Sequence, residues 1–314
     1  MAATNRGTFF SGAGLVWQWQ RLVWWIFAVC LIFGLFSTHE MTERASSLLD
    51  HSAPAQRLVN GFDTSAIIML QQVPDSPLEI QGHNIVHFSL LFVVFMLFVT
   101  GGILAAYVLD EKPTTTAFFE AAGHHFWRFF RLLIYLAIVL LPIAGLAALT
   151  SATYTRIEEQ SISPYPGDHF VEAAAVVILL LLIIVRLWFD MAQVIAVADD
   201  EKRIHRALRR AFTLLRRNFF SLFWLYLRVS VIAWVLFGIG LHVWMFHVNP
   251  LSNVAAFLLS QFMILIWIGT RLWQRASEAL WYRNYQANQA PEPAWSPSPS
   301  TSNLNLRRAS SGPA

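Results

Sequence analysis

Val108-Leu109-Asp110-Glu111-Lys112 closes an apolar run that begins at Ile85. Ninety positions on, Asp200-Glu201-Lys202 follows a second apolar run, from Val171 to Ala198. At the same offset Ala117 matches Ala207, Ala121 matches Ala211, Phe129-Phe130 match Phe219-Phe220, and Leu132 matches Leu222. The pattern predicts two parallel copies of a helix, an elbow and a second helix, over about 85–150 and 175–240.

The chain has 314 residues, 56% of them hydrophobic, 14% aromatic and only 13% charged, with a mean hydropathy of +0.50. A soluble domain of this size carries far more charge, so the surrounding solvent is read as a bilayer. Crossing about 30 Å of hydrocarbon takes roughly 20 apolar residues in a helix. Asp, Glu, Lys and Arg are absent from 22–39, 85–109, 132–155 and 229–270. A further run, 171–198, is interrupted past Glu172 by Arg186 and Asp190, and Asn249-Pro250 divides the longest stretch, since an Asn-Pro step starts a turn. The expected fold is therefore an all-α polytopic bundle in one membrane domain, residues 1–289. Its six spans are placed at about 17–38, 85–109, 130–150, 171–198, 219–248 and 251–272.

Basic residues of short loops set the orientation. With six spans, 17 of the 22 Lys and Arg fall on one side, while the other receives Arg44, Arg57 and Arg156 against ten acidic residues between Glu40 and Glu172. Both termini are thus expected in the cytoplasm. The pI near 9.2 follows from that asymmetry beside an anionic inner leaflet and does not call for nucleic acid. The single cysteine, Cys30, lies in the first span and leaves no disulfide or Cys-based metal site. Trp17, Trp19, Trp24 and Trp25 ahead of and within that span form an aromatic belt and not the basic start of a cleaved signal. Residues 290–314, rich in Pro and Ser without periodicity, read as a disordered cytoplasmic tail.

Two segments on the basic side carry apolar residues at helical spacing: Phe118, Ala122, Phe126 and Phe129 in one, Ile204, Leu208, Phe212 and Leu215 in the other. Each is expected to be an interfacial elbow helix. The second is flanked by Arg203, Arg206, Arg209, Arg210, Arg216 and Arg217. These are either solvated, snorkelling side chains or a surface for anionic inner-leaflet lipids or a protein partner. The outer loop, 38–84, contains helix-compatible stretches at 41–49 and 56–60 and an apolar cluster at 67–70.

Catalytic patterns that operate in membranes are missing: there is no His-Glu-x-x-His, no Gly-x-Ser in a span and no Gly-x-x-x-x-Gly-Lys. Glu158-Glu159 is followed by no helical His set and reads as a solvated loop. Of the ten histidines, His39, His51, His83, His87, His169, His242 and His247 fall near the outer side, where interfacial histidine is ordinary; a metal or haem site is conceivable there but not expected. Charges inside the bilayer are the stronger candidates, because each costs several kcal/mol unless paired or hydrated. Arg186 and Asp190 lie one turn apart on span four, and Arg228 lies at about the same depth on span five, so Asp190 is expected to bridge both arginines, with Gln193 helping. Such a cluster can be a neutralising pair, an ion or proton pathway, or a head-group pocket.

Leu58-Val59-Asn60-Gly61-Phe62-Asp63, Gly101-Gly102-Ile103-Leu104, Phe129-Phe130-Arg131-Leu132, and Asp190 followed by Val197-Ala198-Asp199-Asp200-Glu201 and the Arg-rich elbow resemble a group of bacterial six-span integral membrane proteins. The chain is more distantly similar to YciC-like proteins and to the membrane domain attached to some glycerophosphodiester phosphodiesterases. The resemblance implies an inner-membrane helical bundle and supplies no catalytic residue; the phosphodiesterase domain itself is not in this sequence. The expectation is a protein that is not an enzyme and holds no cofactor: a membrane scaffold or envelope-biogenesis factor contacting anionic lipids, open to membrane-protein partners. The alternative is a small transporter or channel with a polar site at Arg186, Asp190 and Arg228. A dry interior favours the scaffold; a polar cavity reaching Asp190 favours transport.

Overall fold

The computed structural model describes residues 2–49, 65, 68, 77–109, 114–160, 168–247 and 253–289. Among them the chain is all-α. Helices α1 (Ala2–Gln18) and α2 (Gln20–Leu49) are followed by α3 (Pro77–Leu109), α4 (Thr115–Gln160), α5 (Asp168–Ala198), α6 (Ile204–Arg217), α7 (Phe219–Phe246) and α8 (Asn253–Gln289). Six of these, α2, α3, α4, α5, α7 and α8, are long and apolar enough to cross a membrane. The chain is a multi-pass membrane protein.

Several helices run further than charge counting suggested. Residues 41–49 continue α2 instead of forming a helix of their own, α4 spans 46 residues to Gln160, and α8 continues 17 residues past the expected end at 272. The stretch before the first span is itself a helix, α1, which lies along α8. Asp110-Glu111-Lys112, Asn249-Pro250, the stretches at 56–60 and 67–70 apart from the exposed Ile68, and the tail 290–314 fall outside the described residues.

Only one of the two expected elbows is separate. At Asn218 the backbone leaves the helical region (φ −123°, ψ 27°). The Asn218 amide N–H donates to the Leu214 carbonyl at 3.0 Å, and its side-chain Nδ2 donates to the same oxygen at 3.3 Å. A short polar side chain that bonds its own backbone competes with the helix, so α6 closes there and α7 sets off anew. The position ninety earlier is Arg128, whose long side chain bonds Asp200, the Ala196 carbonyl and His124 and not its own backbone. Residues 115–128 therefore form the opening turns of α4.

Helices α3, α5 and α8 meet at the centre. Helix α2 lies against α3 and α8, α4 against α3 and α5, and α7 against α8, while α5 and α7 touch only briefly. Every buried side chain among the described residues lies at the end of the bundle that carries α6, here the basic end. Burial stops at Ile26 on α2 and at Leu132 on α4, resumes at Val99 on α3 and Leu187 on α5, ends at Val229 on α7 and resumes at Ile268 on α8. Three indoles fasten this end: Trp188 Nε1 donates to Leu208 O at 2.9 Å, Trp273 Nε1 to Phe9 O at 2.8 Å, and Trp281 Nε1 to Ser221 Oγ at 3.2 Å. They tie α5 to α6, α8 to α1 and α8 to α7, each contributing about 1 kcal/mol. Helix α6 buries Ile204, Ala207, Leu208, Ala211, Leu214 and Leu215 along one stripe, the spacing of an amphipathic helix laid on a core.

Candidate functional site

Asp190 sits one helical turn from the last buried turns of α5, facing α8, and is 4% exposed. Its carboxylate is gripped from two helices. Arg275 Nη2 approaches Oδ1 at 2.9 Å, Arg271 Nη1 approaches Oδ2 at 3.2 Å, and Arg186 Nε, one turn back on α5, stands 3.9 Å from Oδ2. Gln274 Nε2 contacts Oδ2 at 3.5 Å and donates to Glu278 Oε1 at 2.9 Å, while its Oε1 accepts from Arg271 at 3.1 Å. Glu278, 2% exposed, closes the network.

The sequence reading paired Asp190 with Arg186 and Arg228. Arg186 is present, with its side chain 47% exposed and its guanidinium 5.8 Å from the centroid of the Tyr226 ring. Arg228 is not a partner: it lies 5.3 Å over the Trp224 ring on its own helix. Equal depth did not bring α5 and α7 together: these helices touch only briefly, and α8 fills the place. Nor does Gln193 help, since its Oε1 is buried without a hydrogen bond. Arg271 and Arg275 were missed because they follow the last apolar run and count as ordinary inner-side charges. The i, i+3, i+4, i+7 spacing of Arg271, Gln274, Arg275 and Glu278 was the available signal: four polar groups on one helix face want a common partner.

Depth changes the meaning of the cluster. From Val254 to Thr270, α8 rises about 25 Å, most of the hydrocarbon thickness. Arg271 and Asp190 therefore lie near the boundary on the basic side, where a paired charge costs much less than at the midplane.

A second network forms where α5 turns into α6. Asp200 takes a positive φ of 46°, a conformation Asp tolerates better than most residues. Its carboxylate accepts from Arg128 Nη1 at 2.6 Å and lies 3.3 Å from His124 Nε2, while Arg128 also reaches the Ala196 carbonyl at 3.4 Å. The Arg128 hydrogen bond, more than any other influence, holds the Asp200 carboxyl below the ordinary range. Asp199 accepts from Gln286 Nε2 at 2.7 Å, Tyr282 OH at 3.0 Å and Arg210 Nη1 at 3.2 Å. One acidic turn thus joins α4, α6 and α8.

Beside this turn a cleft of about 670 Å³ opens between α5, α6 and the end of α8, with Arg209, Arg210, Arg217, Tyr285 and Gln286 on its walls. Arg210 is committed to Asp199 and lies 3.9 Å from Glu201. Arg203, Arg206, Arg209, Arg216 and Arg217 are all exposed.

At the far end, His242 and His247 stand 5.6 Å apart, ring to ring. Among the described residues no three His, Cys, Asp or Glu side chains gather in a group able to hold a metal; the side chains of His39, His51 and His83 are outside them. No family model matches this chain, and no curated protein or solved structure matches it either.

Proposed function

We propose that this protein is a non-catalytic membrane scaffold or envelope-biogenesis factor of a bacterial inner membrane, with cytoplasmic termini, that gathers anionic lipids at its basic end. The observation carrying this reading is the construction of α6. Its apolar stripe is locked into the core, so the arginines on its other face are held in a fixed array next to the open cleft instead of trailing in solvent. Two parallel repeats supply the frame in this reading, the first with its elbow merged into α4 and the second with α6 separate, and the acidic turn is the knot that sets α6 at the head-group level. Asp190 enclosed by three arginines favours a fixed internal brace over a carrier site at Arg186, Asp190 and Arg228, whose third member faces elsewhere.

Each arginine near an anionic surface contributes about 1 kcal/mol. Removing two of them, as Arg209→Gln with Arg217→Gln, should weaken binding of phosphatidylglycerol about thirty-fold. The check is titration of the full chain in neutral detergent with short-chain phosphatidylglycerol and, in parallel, phosphatidylcholine. Binding should favour the anionic lipid and fade with added salt. Equal affinity for both lipids, or no response to the double substitution, would reject the reading.

A further inference from the structure

We infer that the cavity between α2, α3, α5 and α8 is a binding site for an amphiphilic anion, an acyl chain ending in a carboxylate or phosphate. This is a second site, sharing no lining residue with the surface cleft. Its volume is about 240 Å³. The polar groups on its wall are Thr100, Gln193, Arg271 and Arg275; no carboxylate lines it.

Three observations make it an anion site. The cluster behind it is charge-imbalanced, with Arg186, Arg271 and Arg275 facing only Asp190 and Glu278. Arg275 is 8% exposed, and its Nη1 is buried with no hydrogen bond. Glu278 Oε2, also buried without a hydrogen bond, stands 3.8 Å from that nitrogen, an ion pair beyond hydrogen-bond range, so Arg275 keeps a donor that no protein atom bonds and that a ligand oxygen can take. Gln193 adds a buried amide oxygen without a partner, an acceptor for a ligand hydroxyl; turned over, the amide offers two N–H donors to the same spot.

The rest of the wall is apolar, and it has a direction. Phe92, Val93 and Trp267 lie toward the far end of their helices, Ile103, Leu272 and Arg275 toward the basic end. Val93 and Trp267 are exposed, so the mouth opens toward the bilayer interior. The eight helical steps from Trp267 to Arg275 span about 12 Å. A head group held by the arginines near the basic-side boundary with its tail pointing at the midplane has the same orientation as the lipids of that leaflet. An inorganic anion would leave the apolar wall uncovered, and an alcohol would offer the arginines only an uncharged acceptor.

The full chain in maltoside detergent is titrated calorimetrically with laurate, dodecyl phosphate, dodecanol and acetate. Laurate or dodecyl phosphate should bind saturably, dodecanol about ten- to hundred-fold more weakly for lack of a charged acceptor, and acetate not measurably. A preference for laurate identifies a free carboxylate and a preference for dodecyl phosphate a phospholipid; both support the site. Val93→Trp blocks the mouth without touching any ion pair, and should weaken the preferred anion at least about tenfold with thermal stability unchanged. Arg271→Gln should erase the preference for anions over dodecanol; because it also uncovers Asp190, the Val93→Trp result decides if that variant does not fold. Arg209→Gln with Arg217→Gln should leave the titration as it was, separating this site from the surface cleft. Dodecanol binding as tightly as laurate, or unchanged binding to Val93→Trp, overturns the inference.

Discussion

The two ends of the bundle are made of the same kinds of residue and are packed in different ways. At the basic end, Leu104, Phe129, Leu187, Met191 and Leu222 are shut away from any solvent; at the far end, Leu141, Val176, Leu179, Trp234 and Val254 are open. In water this difference would be untenable. In a bilayer, lipid tails cover apolar side chains as well as a neighbouring helix does, so apolarity alone gives helices no reason to close on one another. What separates the ends is polarity. The indole bonds, the Asp190 network and the acidic turn all sit at the basic end, and each requires its helices to meet. The far end has His, Phe and Trp in ring contacts and little that only another helix could satisfy.

The largest test of that contrast is Asp190→Asn. Removing one member of a buried ion cluster leaves its partners uncompensated, and about 3 kcal/mol or more of stability should be lost. Measured by thermal unfolding in detergent, Arg271→Gln added to Asp190→Asn should cost less than the sum of the two single changes. Arg228→Gln added to Asp190→Asn should cost the sum, because Arg228 lies over Trp224 and residues without shared partners add. The reverse pattern would mean that α7 and not α8 faces Asp190.

How much of this was legible beforehand follows from the same physics. The six spans could be read because a charge in hydrocarbon is costly, so gaps between charges mark helices. The stripe on α6 could be read because Ile204, Leu208 and Leu215 recur at helical spacing between arginines, although Phe212 at the fourth expected position stays exposed and meets the edge of Trp188. The partner of Asp190 was misassigned because residues at one depth on different helices are indistinguishable in a linear pattern; only the polar face of Arg271, Gln274, Arg275 and Glu278 marked α8 as needing a partner. Helix α1 was obscured for a related reason: it carries almost no amphipathic signal, its inner face resting on Phe9, Gly12 and Leu15 against α8, with Gly12 meeting Ser277. The single elbow came down to one residue, Asn218 against Arg128.

Glycine gives a finer probe of the two ends. A Cβ on Gly12 would collide with Ser277, including its backbone N at 3.0 Å and Cα at 3.1 Å; around Gly145, at the far end, nothing lies within 4 Å. Gly12→Ala should therefore push α1 off α8 and cost about 1–3 kcal/mol, as overpacking does. Gly145→Ala should stabilise its exposed helix by up to about 1 kcal/mol. Melting temperatures moving in opposite directions would sharpen the contrast between the ends, and a loss at both would show that the far end also closes.

The smallest effect is expected at the acidic turn, where charge and backbone can be separated. The Asp200 side chain is 61% exposed, so its pairing with Arg128 is screened by solvent and should contribute less than about 1 kcal/mol. Because the Arg128 hydrogen bond depresses the folded-state carboxyl, that contribution is fully present above the unfolded value of about 3.9, and is lost as pH falls through the lower folded value. Asp200→Asn keeps a residue that tolerates the positive φ of 46° but has no charge. It should be slightly less stable than the parent at pH 7, with the difference shrinking below about pH 4. Asp200→Gly also removes the charge, yet relaxes the backbone, so its deficit at pH 7 should be smaller than that of Asp200→Asn or reversed. Melting curves of the three proteins at pH 7 and pH 3.5 make the check. A deficit of Asp200→Asn that persists undiminished at the lower pH would show that the side chain acts by shape, and that Arg128 holds α4 to the turn through the Ala196 carbonyl alone.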